Sequence, residues 1–256
     1  MESLLLQRLP REACDTSALG ALDEAGLRSL LAEVGAGEEW TACLERLGSN
    51  APPDGTGGVN PGDRRAIYTL IRKLSPRTVL EIGTHIAAST ASIALALQRG
   101  GVGTLTTVDI IDVNDPASGR WRERGAKLRP RELMAELGCA PLVQFHTADS
   151  IDYLDQRQEL FDFIFLDGDH EARTVYRELP RALRRLERPG FVLLHDYCPG
   201  GQKLWAQEPA ILGPWLAVQR LVAEGARLRV LPLGTLPWPT KRGGCVTSLA
   251  LVSGHP

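Results

Sequence analysis

Two stretches of this chain end in groups able to hold a metal ion or move a proton. The segment from Phe161 to Tyr197 reads FDFIFLDGDHEARTVYRELPRALRRLERPGFVLLHDY, two apolar runs that each close on acids and a histidine. The first run delivers Asp167, Asp169 and His170, and the second delivers His195 and Asp196. Runs such as FDFIFL and GFVLL suit strands buried on both faces, and the helical stretch between them suits a right-handed parallel crossover, so the two strands should be neighbours. Neighbouring strand ends lie about 5 Å apart, close enough for Asp167 and Asp196 to reach one divalent cation. Two carboxylates with water and substrate oxygens suit magnesium or manganese, and an added imidazole, with His195 as the candidate, moves the preference toward manganese or softer metals. His170 can also act without a metal, because an imidazole of ordinary pKa, about 6.5, is largely neutral near physiological pH and can accept a proton. Simpler roles stand beside these: Asp167 as a helix cap, His195 as a packed rim histidine, His85 and His146 as structural residues, Asp112 and Asp115 as loop residues.

The elements that must position these groups alternate regularly. Strands are expected at about 78–83, 104–110, 142–148, 161–167, 190–196, 227–233 and 245–252, with helices near 63–74, 87–99, 130–138, 170–187 and 208–224. This is the pattern of a doubly wound α/β sheet of about seven strands, whose ligands bind outside the carboxyl ends of the strands. The hairpin GTLPWPTKRGG before the last strand predicts that this strand is antiparallel. Residues 1–50 read as a helical N-terminal extension with Ser17 or Asp23 as caps, the Pro- and Gly-rich residues 51–62 as a linker, and residues 63–256 as the main domain.

The first of these strands ends Glu81-Ile82-Gly83-Thr84-His85-Ile86-Ala87-Ala88-Ser89-Thr90 and runs straight into a helix. A glycine there allows close backbone approach to a ligand, and free N–H groups at a helix start favour a carboxylate or phosphate. The second strand ends in Asp109, suited to a ribose diol, so an adenosine-bearing cofactor fits both features. A nicotinamide cofactor would call for GxGxxG at the first turn, where this chain has GTHIAA; with no GxSxG elbow either, an NAD-dependent oxidoreductase is the weaker alternative and hydrolase chemistry has little support.

From about residue 63 to 252 the chain resembles the class I S-adenosylmethionine-dependent methyltransferases. It is most similar to the metal-assisted O-methyltransferases, both the catechol and caffeoyl-coenzyme A type with its EIG…S loop and the macrocin O-methyltransferase and cephalosporin hydroxylase-like group with its DGDH and HD signatures. The resemblance implies a Rossmann-like seven-stranded sheet in the order 3-2-1-4-5-7-6 with the last strand antiparallel. It implies S-adenosylmethionine as cofactor, with Glu81, Gly83 and Thr84 on the first cofactor motif, Ser89 at the methionine carboxylate, Asp109 at the ribose, and Asp149 with Ser150 at the adenine. Asp167 and Asp196 fall on two metal-binding acids, Asp167 also facing the cofactor, and His170 falls where such enzymes carry their base. Ala87 stands in place of a second glycine, Tyr197 in place of a metal-binding asparagine, and His195 in place of an acid. The implied activity is O-methylation of a small hydroxylated molecule: a catechol, a natural product or a sugar. A relative that binds the cofactor without methylating is a further alternative.

Composition excludes other partners. A net charge of -2 leaves no electrostatic footprint for nucleic acid, and the arginines from Arg173 to Arg188 share a helix with a stripe of Tyr176, Leu179, Leu183 and Leu186, so most should face water. Five scattered cysteines without a CxxC pair argue against a zinc site or a disulfide framework and for the reducing cytoplasm. No signal peptide or membrane span is expected. The long stretches 111–130 and 198–215 leave the carboxyl rim and could form walls or a lid of the substrate site, with Trp121, Trp205 and Trp215 expected to pack these loops down rather than stack on a substrate ring; Arg120 and Arg122 could bind an acidic group there. A homodimer is expected, with the N-terminal helices at its contact or over the site.

Overall fold

The computed structural model describes residues 2–32, 35–56 and 58–254. Seven strands, β1 (Thr78–Ile82), β2 (Thr104–Asp109), β3 (Val143–Thr147), β4 (Phe161–Leu166), β5 (Leu186–Leu194), β6 (Arg229–Pro232) and β7 (Ala250–Ser253), form one sheet in the order β3-β2-β1-β4-β5-β7-β6. The first five pair in parallel, and β7 runs antiparallel to both β5 and β6. The expected Rossmann-like topology is therefore present, and it puts β1, β4 and β5 side by side with their carboxyl ends on one rim.

Ten helices surround the sheet among the described residues: α1 (Glu2–Gln7), α2 (Glu24–Ala32), α3 (Gly35–Leu47), α4 (Pro61–Leu74), α5 (Ala88–Gly100), α6 (Arg120–Glu123), α7 (Pro130–Glu136), α8 (Ser150–Gln156), α9 (Ala172–Arg184) and α10 (Gly213–Ala223). The period-two alternation of the strands sorts the core into two layers. Val79, Phe163, Phe165 and Leu193 pack on one face with Ile67 and Leu70 of α4 and Ala94 of α5. Leu80, Ile82, Ile164, Leu166 and Val192 pack on the other with Tyr176 and Leu179 of α9 and Leu221 of α10. The first fifty residues contribute to both layers, Leu6 to the second and Leu27, Leu31 and Trp40 to the first. They are also tied to the sheet by backbone, Gly20 N–H donating to Gly190 O at 2.7 Å and Gly190 N–H to Ala18 O at 3.0 Å.

The boundaries differ from the sequence expectation in informative ways. Asp149 accepts from the Ile151 and Asp152 amides and so starts α8, a helix the periodicity does not reveal because it has only seven residues. Helix α9 stops at Arg184, and β5 begins at Leu186, which pairs with Phe161, rather than at residue 190. Helix α10 begins at Gly213 rather than near 208, and residues 245–249 of the expected last strand precede β7, Val246 forming an isolated bridge to Thr235 and Leu249 O accepting from Leu233 N–H. Of the two N-terminal capping candidates, Asp23 caps α2 by accepting from the Gly26 amide at 2.7 Å.

Candidate active site

The loop after β1 is shaped by what lies beneath it. Gly83 has φ of 100°, and a Cβ there would meet the Asp167 carbonyl oxygen at 2.3 Å. The close approach that demands glycine is thus between the ends of β1 and β4, with Gly83 N–H donating to Val108 O and Asp167 N–H to Ile82 O. Ala87 and His85 both hold positive φ, 63° and 48°, so the loop keeps a left-handed turn before α5 without a second glycine. Glu81 is fully buried under it and accepts hydrogen bonds from the Thr90 and Thr107 hydroxyls, each at 2.6 Å. Burial pushes its carboxyl up to about 7.

Above this loop opens a cavity of about 630 Å³, within the ordinary range for a small-molecule site. Gly83, Thr84, Ser89, Asp109, Asp149, Ser150 and Asp167 all line it, whereas Glu81 lies below and does not. Asp109 is held rigidly, its Oδ2 accepting from His85 N–H at 2.9 Å and its Oδ1 from Ile111 N–H at 3.0 Å. Next to it Ile110, 69% exposed, presents an apolar side chain to the same cavity. A carboxylate beside an exposed aliphatic side chain suits a ribose and the flat base attached to it, so the residues present fit an adenosine-bearing cofactor. The structure adds residues that the sequence did not single out for this cavity. His85 lines it with Nδ1 buried and unpartnered, Arg173 and Arg177 of α9 reach it rather than only facing water, and Gly58 and Val59 come from the stretch expected to be a linker.

At the junction of β4 and β5, Asp167, His170 and Asp196 each place one ligand atom within 4.8 Å of the others, a spacing that fits a divalent ion. His170 Nδ1 lies 3.4 Å from Asp196 Oδ2, and Ser248 donates to Asp196 Oδ1 at 3.2 Å. Asp196 has φ of 52°, a left-handed turn that aspartate tolerates. Burial by itself would raise the Asp196 carboxyl, but His195 and His170 beside it bring it below the usual carboxylate value.

His195 lies directly against this group, its Nδ1 also 3.7 Å from Asp196 Oδ2. Its Nδ1 is 2.7 Å from Asp167 Oδ1, and its Nε2 is 3.5 Å from Oδ2 of Asp63, a fully buried acid at the start of α4. Burial alone would lower the imidazole pKa, but the Asp167 and Asp196 charges and hydrogen bonds to Asp167 and Asp63 raise it well above the ordinary value. Asp63 escaped sequence reading because nothing local marks it except the Asn60-Pro61 helix start, where Asn60 accepts from the Asp63 amide at 3.1 Å.

A second cavity, about 690 Å³, borders this cluster and is lined by His170, His195, Asp196, Trp205, Glu208 and Lys241 among others. His170 and Gly58 line both cavities, so the two meet there. Of the expected loop aromatics, Trp205 is on this wall under Lys241, Trp121 packs under the Arg122 guanidinium, and Trp215 would touch any side chain at Gly201. His146 rests against Tyr153, while Asp112 and Asp115 close loop turns on the amides of Asn114 and Ala117.

Comparison with known proteins agrees with this geometry. Residues 80–197 match a family described as a methyltransferase domain. A catechol O-methyltransferase of Niastella koreensis is 29% identical over 162 residues, a match spanning 60% of this chain and 66% of that protein, just under two thirds of its length. Among solved structures, the O-methyltransferase TomG of Streptomyces achromogenes, involved in tomaymycin synthesis and bound to S-adenosylmethionine, superposes with a TM-score of 0.56 at 20% identity, covering 95% of this chain and all of that one. An O-methyltransferase of Bacillus cereus in complex with S-adenosylhomocysteine gives a TM-score of 0.57 at 18% identity, covering 94% of this chain and all of the other. Sheet order and these likenesses give the chain the fold of the class I S-adenosylmethionine-dependent methyltransferases. Within that fold, residues 80–197 carry the match to a methyltransferase domain.

Proposed function

We propose that this chain transfers the methyl group of S-adenosylmethionine to a hydroxyl of a small molecule, a catechol, a polyhydroxylated natural product or a sugar, aided by a magnesium or manganese ion, by His170 as base, or by both. The observation that carries the reading is the meeting of two cavities at His170. One has the adenosine-suited lining of Gly83, Asp109 and Asp149, and the other is open for an acceptor. When bound, the cofactor supplies a methyl group activated on a sulfonium, and a divalent ion lowers the pKa of a hydroxyl it holds. The chain's own part is alignment and proton removal. Asp109 holds the ribose end of the cofactor, Asp167 and Asp196 orient the acceptor edge, and the meeting of the two cavities at His170 brings the two ligands together for the in-line displacement that methyl transfer requires. His170 takes the acceptor proton on its ring, and Asp196, 3.4 Å from its Nδ1, stabilises the imidazolium that forms.

Isothermal titration with S-adenosylmethionine tests the cofactor, and absence of binding at millimolar concentration removes the proposal. Turnover of a catechol and sugar panel with and without EDTA separates the two versions. Activity unchanged by chelation leaves only the histidine base, which His170→Ala should then abolish. No described helix is long and apolar enough to cross a membrane. The chain is further proposed to work in the cytoplasm, which the five free cysteines support, and as a homodimer, for which the exposed Leu4 and Leu5 on α1 offer apolar surface. Light scattering of the purified protein tests the latter.

A further inference from the structure

The hairpin between β6 and β7 carries two cations to the acceptor side of the site. Lys241 and Arg242 stand near its turn, and both line the second cavity, the one bordered by His170, His195 and Asp196. Arg120 and Arg122, the cations expected from sequence to meet an acidic group, line neither cavity. The hairpin is held in place from several sides. Trp238 donates from Nε1 to Gly62 O at 2.9 Å, the Arg65 guanidinium lies 4.2 Å from the centre of its ring, and Thr240 N–H donates to Gly244 O at 2.7 Å. A Cβ on Gly62 would meet Pro239 O at 2.4 Å, so the hairpin lies directly against the first turn of α4. Lys241 has its own fixed contacts, its ammonium pairing with Glu208 and standing 5.2 Å from the centre of the Trp205 ring. Little ordering is then left for an arriving anion to impose.

Charge on this wall is unevenly shared. Glu208 answers both cations, Lys241 through Oε2 and Arg242 through Oε1 at 3.0 Å, so two positive groups divide one carboxylate. The other acids of the wall are engaged elsewhere, Asp54 with the Arg64 guanidinium at 3.3 Å and Asp196 with His170 and His195. Lys241 is nevertheless close enough for its charge to reach Asp196: burial raises that carboxyl, His195 and His170 lower it, and Lys241 adds to the lowering. Pro209, Ile211 and Trp205 supply apolar surface to the same cavity.

Resting on the methyltransferase reading above, we propose that the acceptor is a hydroxylated carboxylic acid, its carboxylate held by Lys241 with Arg242 while its hydroxyl lies at His170 and Asp196. An ammonium has three donors, so one bond to Glu208 leaves two for the acceptor, and the positive charge in excess of Glu208 discriminates against a neutral or cationic group in the same place.

The test compares each of two acids with its own amide, a neutral group of similar shape: 3,4-dihydroxybenzoate with 3,4-dihydroxybenzamide, and glucuronate with glucuronamide. With S-adenosylmethionine as donor, wild type should methylate at least one acid with kcat/KM about tenfold above that of its amide, the difference lying in KM. Lys241→Gln should bring that pair within about threefold of each other, and Lys241→Arg, which keeps the charge, should hold the preference within about threefold of wild type. Taking acid against amide within each protein cancels any general loss of activity, so a merely structural role for Lys241 leaves the ratio unchanged. An acid preference that survives Lys241→Gln, a wild type that favours the amides or treats both alike, or turnover of neither acid by protein that binds S-adenosylhomocysteine overturns the proposal. Should Lys241→Gln not fold, Arg242→Gln takes its place and must narrow the wild-type ratio by about threefold or more, or the proposal falls. Failure of wild type to bind S-adenosylhomocysteine at all would instead refute the methyltransferase reading, so the two failures are distinct.

Discussion

The first residue of α10, Gly213, abuts the loop that carries His170: a Cβ on Gly213 would sit 1.8 Å from the His170 carbonyl oxygen. The helix therefore sets the height of the histidine loop above the sheet without touching either cavity. Gly213→Ala must push helix and loop apart by about an ångström or more, and a displacement of that size costs on the order of 100-fold in turnover. Steady-state kinetics should show that loss in kcat/KM while S-adenosylhomocysteine affinity stays near wild type. Equal losses in both would mean general unfolding instead.

Gly83 supports the opposite side of the cluster. With φ of 100° and the Asp167 carbonyl 2.3 Å from any Cβ, Gly83→Ala meets both backbone strain and a collision. The expected result is destabilisation of about 2–4 kcal/mol in urea titration, with cofactor binding lost. Retained binding would show that the β1 and β4 ends move apart without consequence.

Asp63 joins α4 to the rim through His195. Asp63→Ala leaves His195 Nε2 and the Asn60 side-chain amide, which donates to Asp63 Oδ2 at 2.6 Å, without that partner. Removing one member of a buried charged pair costs about 3 kcal/mol, and Asp63→Asn, which keeps an acceptor for Asn60, should cost less. Chemical denaturation of both variants measures the difference, and equal costs would place the whole effect in the lost charge, which both variants share.

Glu81 makes stability depend on pH. Its folded-state value of about 7 lies above the ordinary 4.5, so the folded state holds the proton more tightly than the unfolded chain. The stabilisation is fully present below the unfolded value and is lost as pH rises toward the folded one. Wild type should therefore lose stability relative to Glu81→Gln between about pH 5 and about pH 7 and then level off. A difference independent of pH would show that Glu81 is ionised throughout.

Much of this was legible along the chain. The alternation of apolar runs with amphipathic stretches specified seven strands, because strands buried on both faces need continuous apolar sequence. Local chemistry marked Gly83, Asp109 and the pair Asp167 and Asp196, since each stands at the end of a strand, where a parallel sheet gathers its ligand groups. The short helix α8 was not legible, seven residues being too few to show a period against the noise of a loop.

Sequence alone determined the class of fold and which acids reach the carboxyl rim, because both follow from the order and polarity of neighbouring residues. Tertiary structure alone decided their company. It brought Asp63 to His195 across 132 positions of chain, Ser150 to Glu178, and the 51–62 stretch into the walls of both cavities. Side chains distant in sequence meet only when packing closes the space between their elements, and no local pattern records which of them will be left facing one another.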